Sequence, residues 1–203
     1  HFPSILLEYC PHNLRKVVSE MSRVQRVAAI FETCAGMRAV HESNLIHRNL
    51  KPENVLIGKD GHVRISDFAT ARLEDKESLG LSYSKTGVVG DMRFMAPELM
   101  DEGTHYDEKV DVFSFGVITF YVLTGGKLPK MNIDDISKGK KMEFPKEINE
   151  FSGELIRKCM AFNPIERPSF EDIYQMIISN NFEIMDLSEK DLKEIKDFVY
   201  GLD

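Results

Sequence analysis

The stretch that decides the fold is HRNLKPENVLI, residues 47–57. A dense run of polar residues leads directly into a short apolar segment that predicts a β-strand. A second strand-like segment, HVRIS at residues 62–66, follows after the turn sequence KDG. Because two short strands joined by a glycine-containing turn are typical of a β-hairpin, we expect the polar run to sit at its base.

The bulk composition bounds the class of protein. The chain has 203 residues, 42% of them hydrophobic and 29% charged, with a net charge of −7. This is enough chain for one domain with a real core, and the missing basic excess argues against a nucleic-acid partner. Cys10, Cys34 and Cys159 are odd in number and far apart, which predicts free thiols in a reducing compartment and hence a cytoplasmic protein.

The rest of the chain predicts mainly helices, in an α+β arrangement. Ser22 and Gln25 form a capping-box signature for a helix that runs to about His41. The apolar segment at residues 112–123 is too short to span a membrane, and it predicts a buried helix stopped by two glycines. Further helices are predicted at residues 151–162, after Ser169 and after Ser188. The polar run at residues 70–93 predicts a long loop.

Both ends of the chain also carry predictions. The first residues, HFPSILLEYC, suggest a buried strand that runs into a loop, and the chain does not begin with Met. We therefore expect a fragment, or a region that precedes His1. The terminal run EKDLKEIKD at residues 189–197 predicts a helix with a solvated face, with a partner site as the alternative.

Five motifs stand in one order: HRNLKPEN, DFA, APE, DVFSFG and ERPSF. Together they resemble the C-terminal lobe of a protein kinase domain. The resemblance implies a mainly α-helical C-lobe with a short β-hairpin at the catalytic loop, and an N-lobe absent from the chain. It assigns residues 1–180 to the hinge and C-lobe, and residues 181–203 to a C-terminal helical extension. The segment LKPEN is similar to the Ser/Thr type, whereas DVFSFGV and RPSF are similar to the tyrosine-kinase-like group.

The resemblance also implies a site for ATP and Mg²⁺, because kinases hold metal ions against the nucleotide phosphates. Asn54 and Asp67 match the metal-binding positions, and both offer the hard oxygen ligands that suit Mg²⁺. Lys51 matches the phosphate-contacting lysine. The adenine-side positions fall on Leu7 as gatekeeper, on Glu8 to Cys10 as hinge, and on Leu56 beneath the ring.

Other matched positions are architectural or regulatory. The resemblance implies that Asp111 anchors the catalytic loop, that Glu98 and Arg167 form a buried ion pair, and that His47 and Phe68 stack. Arg48 would face a phosphorylated loop, with Thr86 or Ser84 as the modified residue, or else be held by backbone carbonyls alone.

The chain departs from the family pattern at three positions. Asn49 stands where the family has the catalytic aspartate, so general-base help is lost. Ala69 replaces the glycine of DFG, which would cost roughly 1–2 kcal/mol if that residue needed a positive φ. Asp91 replaces a threonine that in the family faces the loop lysine. We predict a direct contact between Asp91 and Lys51, the alternative being that Asp91 caps a turn of its own loop.

The sequence thus predicts an impaired kinase: a pseudokinase or signalling scaffold that acts through a protein substrate or partner. No glycine-rich phosphate loop or strand lysine is present in the 203 residues, so weak ATP binding is expected. One alternative is an active Ser/Thr kinase when an N-lobe is present, with Asn49 as an engineered residue. Another is a pure interaction module built on the helices.

Overall fold

The computed structural model describes residues 6–73, 91–100, 105–130 and 133–201. The helices are α1 (Leu14–Val17), α2 (Arg23–Glu42), α3 (Lys109–Leu123), α4 (Ile133–Ser137), α5 (Glu150–Cys159), α6 (Phe170–Ser179) and α7 (Glu189–Tyr200). The strands are β1 (His12–Asn13), β2 (Leu45–Ile46), β3 (Val55–Ile57), β4 (Val63–Ile65) and β5 (Arg72–Leu73). The described chain is therefore mainly helical with small sheets, as the sequence predicted.

Capping boxes begin three of the helices. The Ser22 hydroxyl accepts a hydrogen bond from the backbone N–H of Gln25 at 3.2 Å, and the Gln25 side chain accepts one from the Ser22 backbone at 2.8 Å. Ser169 at α6 and Ser188 at α7 form the same reciprocal pair with an aspartate three residues later. Each box satisfies two donors that a helix start would leave unpaired, which fixes where these helices begin.

Helix α3 is the centre of the core. Every residue of α3 after the first is buried, and Gly125 and Gly126 end the segment with φ values of +66° and +102°. Gly116 allows α5 to approach closely, because a Cβ there would lie 2.8 Å from the Cys159 Cβ and the Met160 Cγ. Such a contact is shorter than real packing permits, so glycine is required at this crossing.

Two small sheets hold the polar loop of residues 47–54 at both of its ends. Strands β3 and β4 form the predicted antiparallel hairpin, and β1 adds to its edge with Asn13 opposite Leu56. Before the loop, β2 pairs with β5, with Leu45 opposite Leu73. The loop therefore leaves one sheet and enters the other, and its backbone is constrained on each side.

The first described residues correct one prediction. Leu6 and Leu7 are 99% and 79% exposed, and residues 6–9 form no strand within the described part of the chain. A buried strand needs a paired neighbour and a covered face, and neither is present for these residues. The first strand in the described part of the chain is β1, at His12–Asn13, and residues 1–5 of the predicted segment lie outside that part.

The C-terminal segment packs on the helical core. Phe182, Ile184 and Ile195 are buried, and α7 lies along α2. No helix among the described residues has the length and apolar character needed to cross a bilayer.

Candidate active site

A buried carboxylate on α3 holds the loop of residues 47–54 in place. Asp111 accepts hydrogen bonds from the backbone N–H groups of His47 and Arg48, both at 2.8 Å, and its Oδ2 lies 2.9 Å from the His41 ring nitrogen. Arg48 has a φ of +64°, a conformation that is uncommon for a side chain larger than glycine. The converging contacts with Asp111 compensate for this conformation and fix the start of the loop.

Asn49 lies at the centre of a network of amides and one carboxylate. Its side-chain Nδ2 donates a hydrogen bond to Asp67 Oδ2 at 2.9 Å. Asn54 Nδ2 donates to the same oxygen at 3.2 Å and to the Asn49 carbonyl at 2.7 Å. The structure thus brings together three residues that the sequence placed in the site. Since an amide nitrogen has no useful basicity, Asn49 holds Asp67 in place but has no carboxylate with which to accept a proton.

The oxygen donors at this point match what Mg²⁺ prefers. Asp67 supplies a carboxylate and Asn54 an amide oxygen, both hard ligands. Within the described residues no group of three or more His, Cys, Asp or Glu side chains could hold a metal alone. A cation here would therefore need phosphate or water oxygens as further ligands, and it would compete with two amide donors for Asp67 Oδ2.

Ala69 causes no backbone strain at the DFA motif. It lies in a single 3₁₀ turn, Phe68–Thr70, and is not among the residues with a positive φ. The left-handed residue is Asp67, with a φ of +66°. The cost of 1–2 kcal/mol considered for alanine does not arise in this conformation, because it applies only at positive φ.

The predicted contact between Lys51 and Asp91 is wrong. Asp91 caps its own 3₁₀ turn by accepting from the Arg93 backbone at 3.1 Å, and it accepts from Arg93 Nε at 2.8 Å. Arg15 Nη1 lies 3.9 Å from the same carboxylate, and no ion pair joins Asp91 to Lys51. Hydrogen bonds from Arg93 lower the pKa of Asp91. The guanidinium two residues away presents a planar fork that fits a carboxylate better than an ammonium does.

The guanidinium of Arg48 is already engaged. Its Nε donates to the Thr70 carbonyl at 2.5 Å, and Nη1 donates to the Tyr106 hydroxyl at 2.8 Å. Tyr106 carried no signal in the sequence, because its role depends on a contact between residues 58 positions apart. Ser84 and Thr86, which were considered as phosphorylation sites, lie outside the described residues.

The residues assigned to the adenine side lie on an open surface. Leu7 is exposed, Cys10 and Leu56 are half-buried, and Glu8 accepts from Arg64 at 3.0 Å. Arg64 pairs with Leu56 across the hairpin, so the Glu8 contact places this segment beside the strand that carries Leu56.

The architectural residues meet in pairs. Arg167 and Glu98 form a buried, bidentate ion pair with N···O distances of 2.6 and 3.0 Å. The rings of His47 and Phe68 meet edge to face, with centroids 5.0 Å apart and an interplanar angle of 65°. The sequence did not indicate that His41 contacts Asp111, because the position of His41 on α2 suggested only the end of a helix.

Comparison with known proteins adds to this geometry. The model of the protein kinase domain matches residues 2–177. The RGS domain-containing serine/threonine-protein kinase A of Dictyostelium discoideum is 35% identical over 81% of this chain, which covers 15% of that protein. Serine/threonine-protein kinase STY17 of Arabidopsis thaliana is 32% identical over 80% of the chain, and Tyrosine-protein kinase Fer of Mus musculus 30% over 80%. The chain spans 28% and 20% of these two relatives.

Proposed function

Because the chain belongs to the protein kinase family, we propose that it is a Ser/Thr-type kinase domain with impaired phosphotransfer that acts mainly by binding signalling partners. The observation that carries this proposal is the state of Asn49, which donates to Asp67 where a kinase needs a carboxylate that accepts. We assign residues 1–180 to the kinase domain and 181–203 to a helical extension, in a cytoplasmic protein.

The chemistry of phosphoryl transfer explains why this one residue matters. The catalytic carboxylate orients the substrate hydroxyl and accepts its proton as the γ-phosphoryl group moves. General-base assistance of this kind contributes about 10²–10⁴-fold to a rate. With an amide at position 49, only positioning and charge stabilisation remain, so the reaction would be slow but not abolished.

Retained residues support a residual nucleotide site. Asn54 and Asp67 would hold Mg²⁺ together with phosphate oxygens, and Lys51 would contact a phosphate. Leu7, Glu8, Cys10 and Leu56 would form the adenine side. In this chain that side is open to solvent, so we infer that ATP binds weakly to the 203 residues alone.

The competing function is an active Ser/Thr kinase, and the retained metal-ligand pair favours it. Asn54 Nδ2 lies 3.2 Å from Asp67 Oδ2, and Asp111 holds the start of the loop of residues 47–54. A protein that only binds partners does not need these features. A module with no nucleotide site at all is the third reading.

A variant that removes the metal ligand separates these functions in the native cell. If the protein acts by binding, Asp67→Asn should leave the cellular phenotype unchanged, because the exposed carboxylate can be replaced without unfolding the core. If it acts as a kinase, Asp67→Asn should reproduce the phenotype of deletion. Glu98→Ala serves as the control, since the stability lost with this buried ion pair should weaken function under either reading. A deletion phenotype for Asp67→Asn at normal protein level would overturn the proposal.

A further inference from the structure

A cavity of about 480 Å³ lies between α1, α2, β3 and the terminal helix α7. Its apolar wall includes Val17 of α1, Val24 of α2, Ile57 of β3 and Phe198 of α7. None of residues 47–54 lines this cavity, which we call the α7 cavity. The volume falls within the range of about 300–1,000 Å³ that is typical of small-molecule sites.

The α7 wall of the cavity is held by contacts of its own. The Phe198 ring stacks on His62, with centroids 4.2 Å apart and an interplanar angle of 20°. Glu32 Oε1 lies 2.5 Å from His62 Nδ1, and Glu32 Oε2 accepts from the Val63 backbone at 2.8 Å. Since these contacts do not involve a ligand, the wall is formed in advance, which lowers the cost of binding.

Helix α7 lies beyond the part of the chain that the protein kinase domain model matches. The kinase domain model matches residues 2–177, whereas α7 covers Glu189–Tyr200. Ile195 anchors α7 in the core with no exposed area. The cavity is therefore built from the shared kinase core on one side and from a later helix on the other.

Two carboxylates give the cavity its charge. Glu20, between α1 and α2, and Glu194, on α7, both line it and both are exposed. Neither carboxylate forms an ion pair with another described residue, and no lysine or arginine lines the cavity. The other polar side chains along it are His12 and Gln25, and the Gln25 side-chain oxygen is already bonded to Ser22. The lining thus combines an apolar wall with two negative charges that have no ion-pair partner among the described residues.

We propose that the α7 cavity binds a small organic cation, with an apolar body against Val24, Ile57 and Phe198 and an ammonium group near Glu20 and Glu194. The apolar body would be removed from water by the wall, and the ammonium would meet the two carboxylates. An anion of the same shape would meet the same wall but would be repelled. None of the residues assigned to the proposed nucleotide site lines the α7 cavity, and binding there does not depend on phosphotransfer activity.

A matched pair of probes tests the proposal on the 203-residue chain. The probes are 4-phenylbenzylamine and 4-phenylbenzoate, which share a biphenyl body and carry opposite charges. Calorimetry measures the two affinities, and methyl NMR shifts of Met21, Val24 and Ile57 locate the binding. Each of the two exposed ion pairs that the amine can form is worth a few-fold in affinity. We therefore expect the amine to bind at least about tenfold more tightly than the benzoate.

Variants separate the local charges from the net negative charge of the protein. Glu20→Gln with Glu194→Gln should reduce the preference for the amine to within about threefold. Glu143→Gln with Glu147→Gln removes the same number of charges from exposed residues outside the cavity and should leave the preference intact. Thermal midpoints check that both variants fold. Val17→Trp, which fills the cavity, should abolish binding of the amine.

Several results would overturn the proposal. They are equal affinities for the two probes, a preference that survives loss of both lining carboxylates, and amine-induced shifts confined to residues elsewhere. A preference that falls equally in the two charge variants would also overturn it, because it would reflect the net charge alone.

Discussion

Removing the Glu98 carboxylate should lower the free energy of unfolding more than removing any exposed charge in this chain does. Glu98 is 8% exposed and Arg167 is 2% exposed, so both charges lie in the core. Arg167 also donates to the Ala161, Phe162 and Lys109 carbonyls at 2.8 to 3.2 Å. Those contacts would hold the guanidinium in place after Glu98→Ala, leaving it buried without its counter-charge.

The magnitude follows from that unpaired charge. Removing one partner of a buried ion pair typically lowers the free energy of unfolding by about 3–5 kcal/mol. For a domain of this size, each kcal/mol shifts the thermal midpoint by about 2–4 °C, so the expected fall is about 6–20 °C. Glu98→Gln keeps the shape and one acceptor and should fall between the natural chain and Glu98→Ala.

Thermal unfolding followed by circular dichroism measures this effect. The matched control is Glu154→Ala, which breaks exposed ion pairs to Arg157 at 3.6 Å and Lys158 at 3.7 Å. Exposed pairs at helical spacing are worth about 0.3–0.5 kcal/mol each, so losing both costs at most about 1 kcal/mol and should shift the midpoint by no more than about 4 °C. If Glu98→Ala shifts the midpoint no further than Glu154→Ala does, the reasoning from burial is refuted.

Three further predictions concern thiols, pH and nucleotide. Burial raises the pKa of Cys159 to about 12 and also raises the pKa of Cys34, so at pH 8 iodoacetamide should label only Cys10, as mass spectrometry would show. Adducts on a buried thiol of the folded chain would contradict this. Because Arg93 lowers the pKa of Asp91, their contact stabilises the fold above the ordinary aspartate pKa and is lost as pH falls through the lowered value. Asp91→Asn should therefore lower the midpoint slightly at pH 7 and by progressively less as the pH falls below about 4, and an equal loss throughout would count against the contact. The 203-residue chain should bind Mg·ATP weakly, and a low-micromolar affinity by calorimetry would refute that.

Local signals predicted the elements of the fold that depend on few residues. The capping-box signature at Ser22 and the serines at positions 169 and 188 located three helix starts, because each cap is formed by residues only three positions apart. The hairpin of β3 and β4 followed from a glycine turn between two short strands. In contrast, β2 pairs with β5 across 26 or more residues, and no local pattern marks either strand.

The contacts within the site were harder to predict where two cationic side chains could pair with the same carboxylate. The pattern placed Asp91 opposite Lys51, but the choice between Lys51 and Arg93 depends on backbone geometry in the turn. The backbone conformation of Ala69 also needed coordinates, because composition does not reveal which residue of the motif takes the positive φ. The identity of Asn49 was visible in the sequence, whereas its hydrogen bond to Asp67 was not.

The rate of γ-phosphate transfer by the natural full-length protein, measured beside its Asn49→Asp variant at saturating Mg·ATP, tests the role of Asn49 most directly. Restoring the carboxylate should raise the rate by about 10²-fold or more, since it returns the missing base. Asn49→Ala is the control: it removes the amide without adding a base, and its rate should stay as low as that of the natural protein. Equal rates for the natural protein and Asn49→Asp, at similar ATP affinity, would contradict the assignment of Asn49 as the residue that impairs transfer.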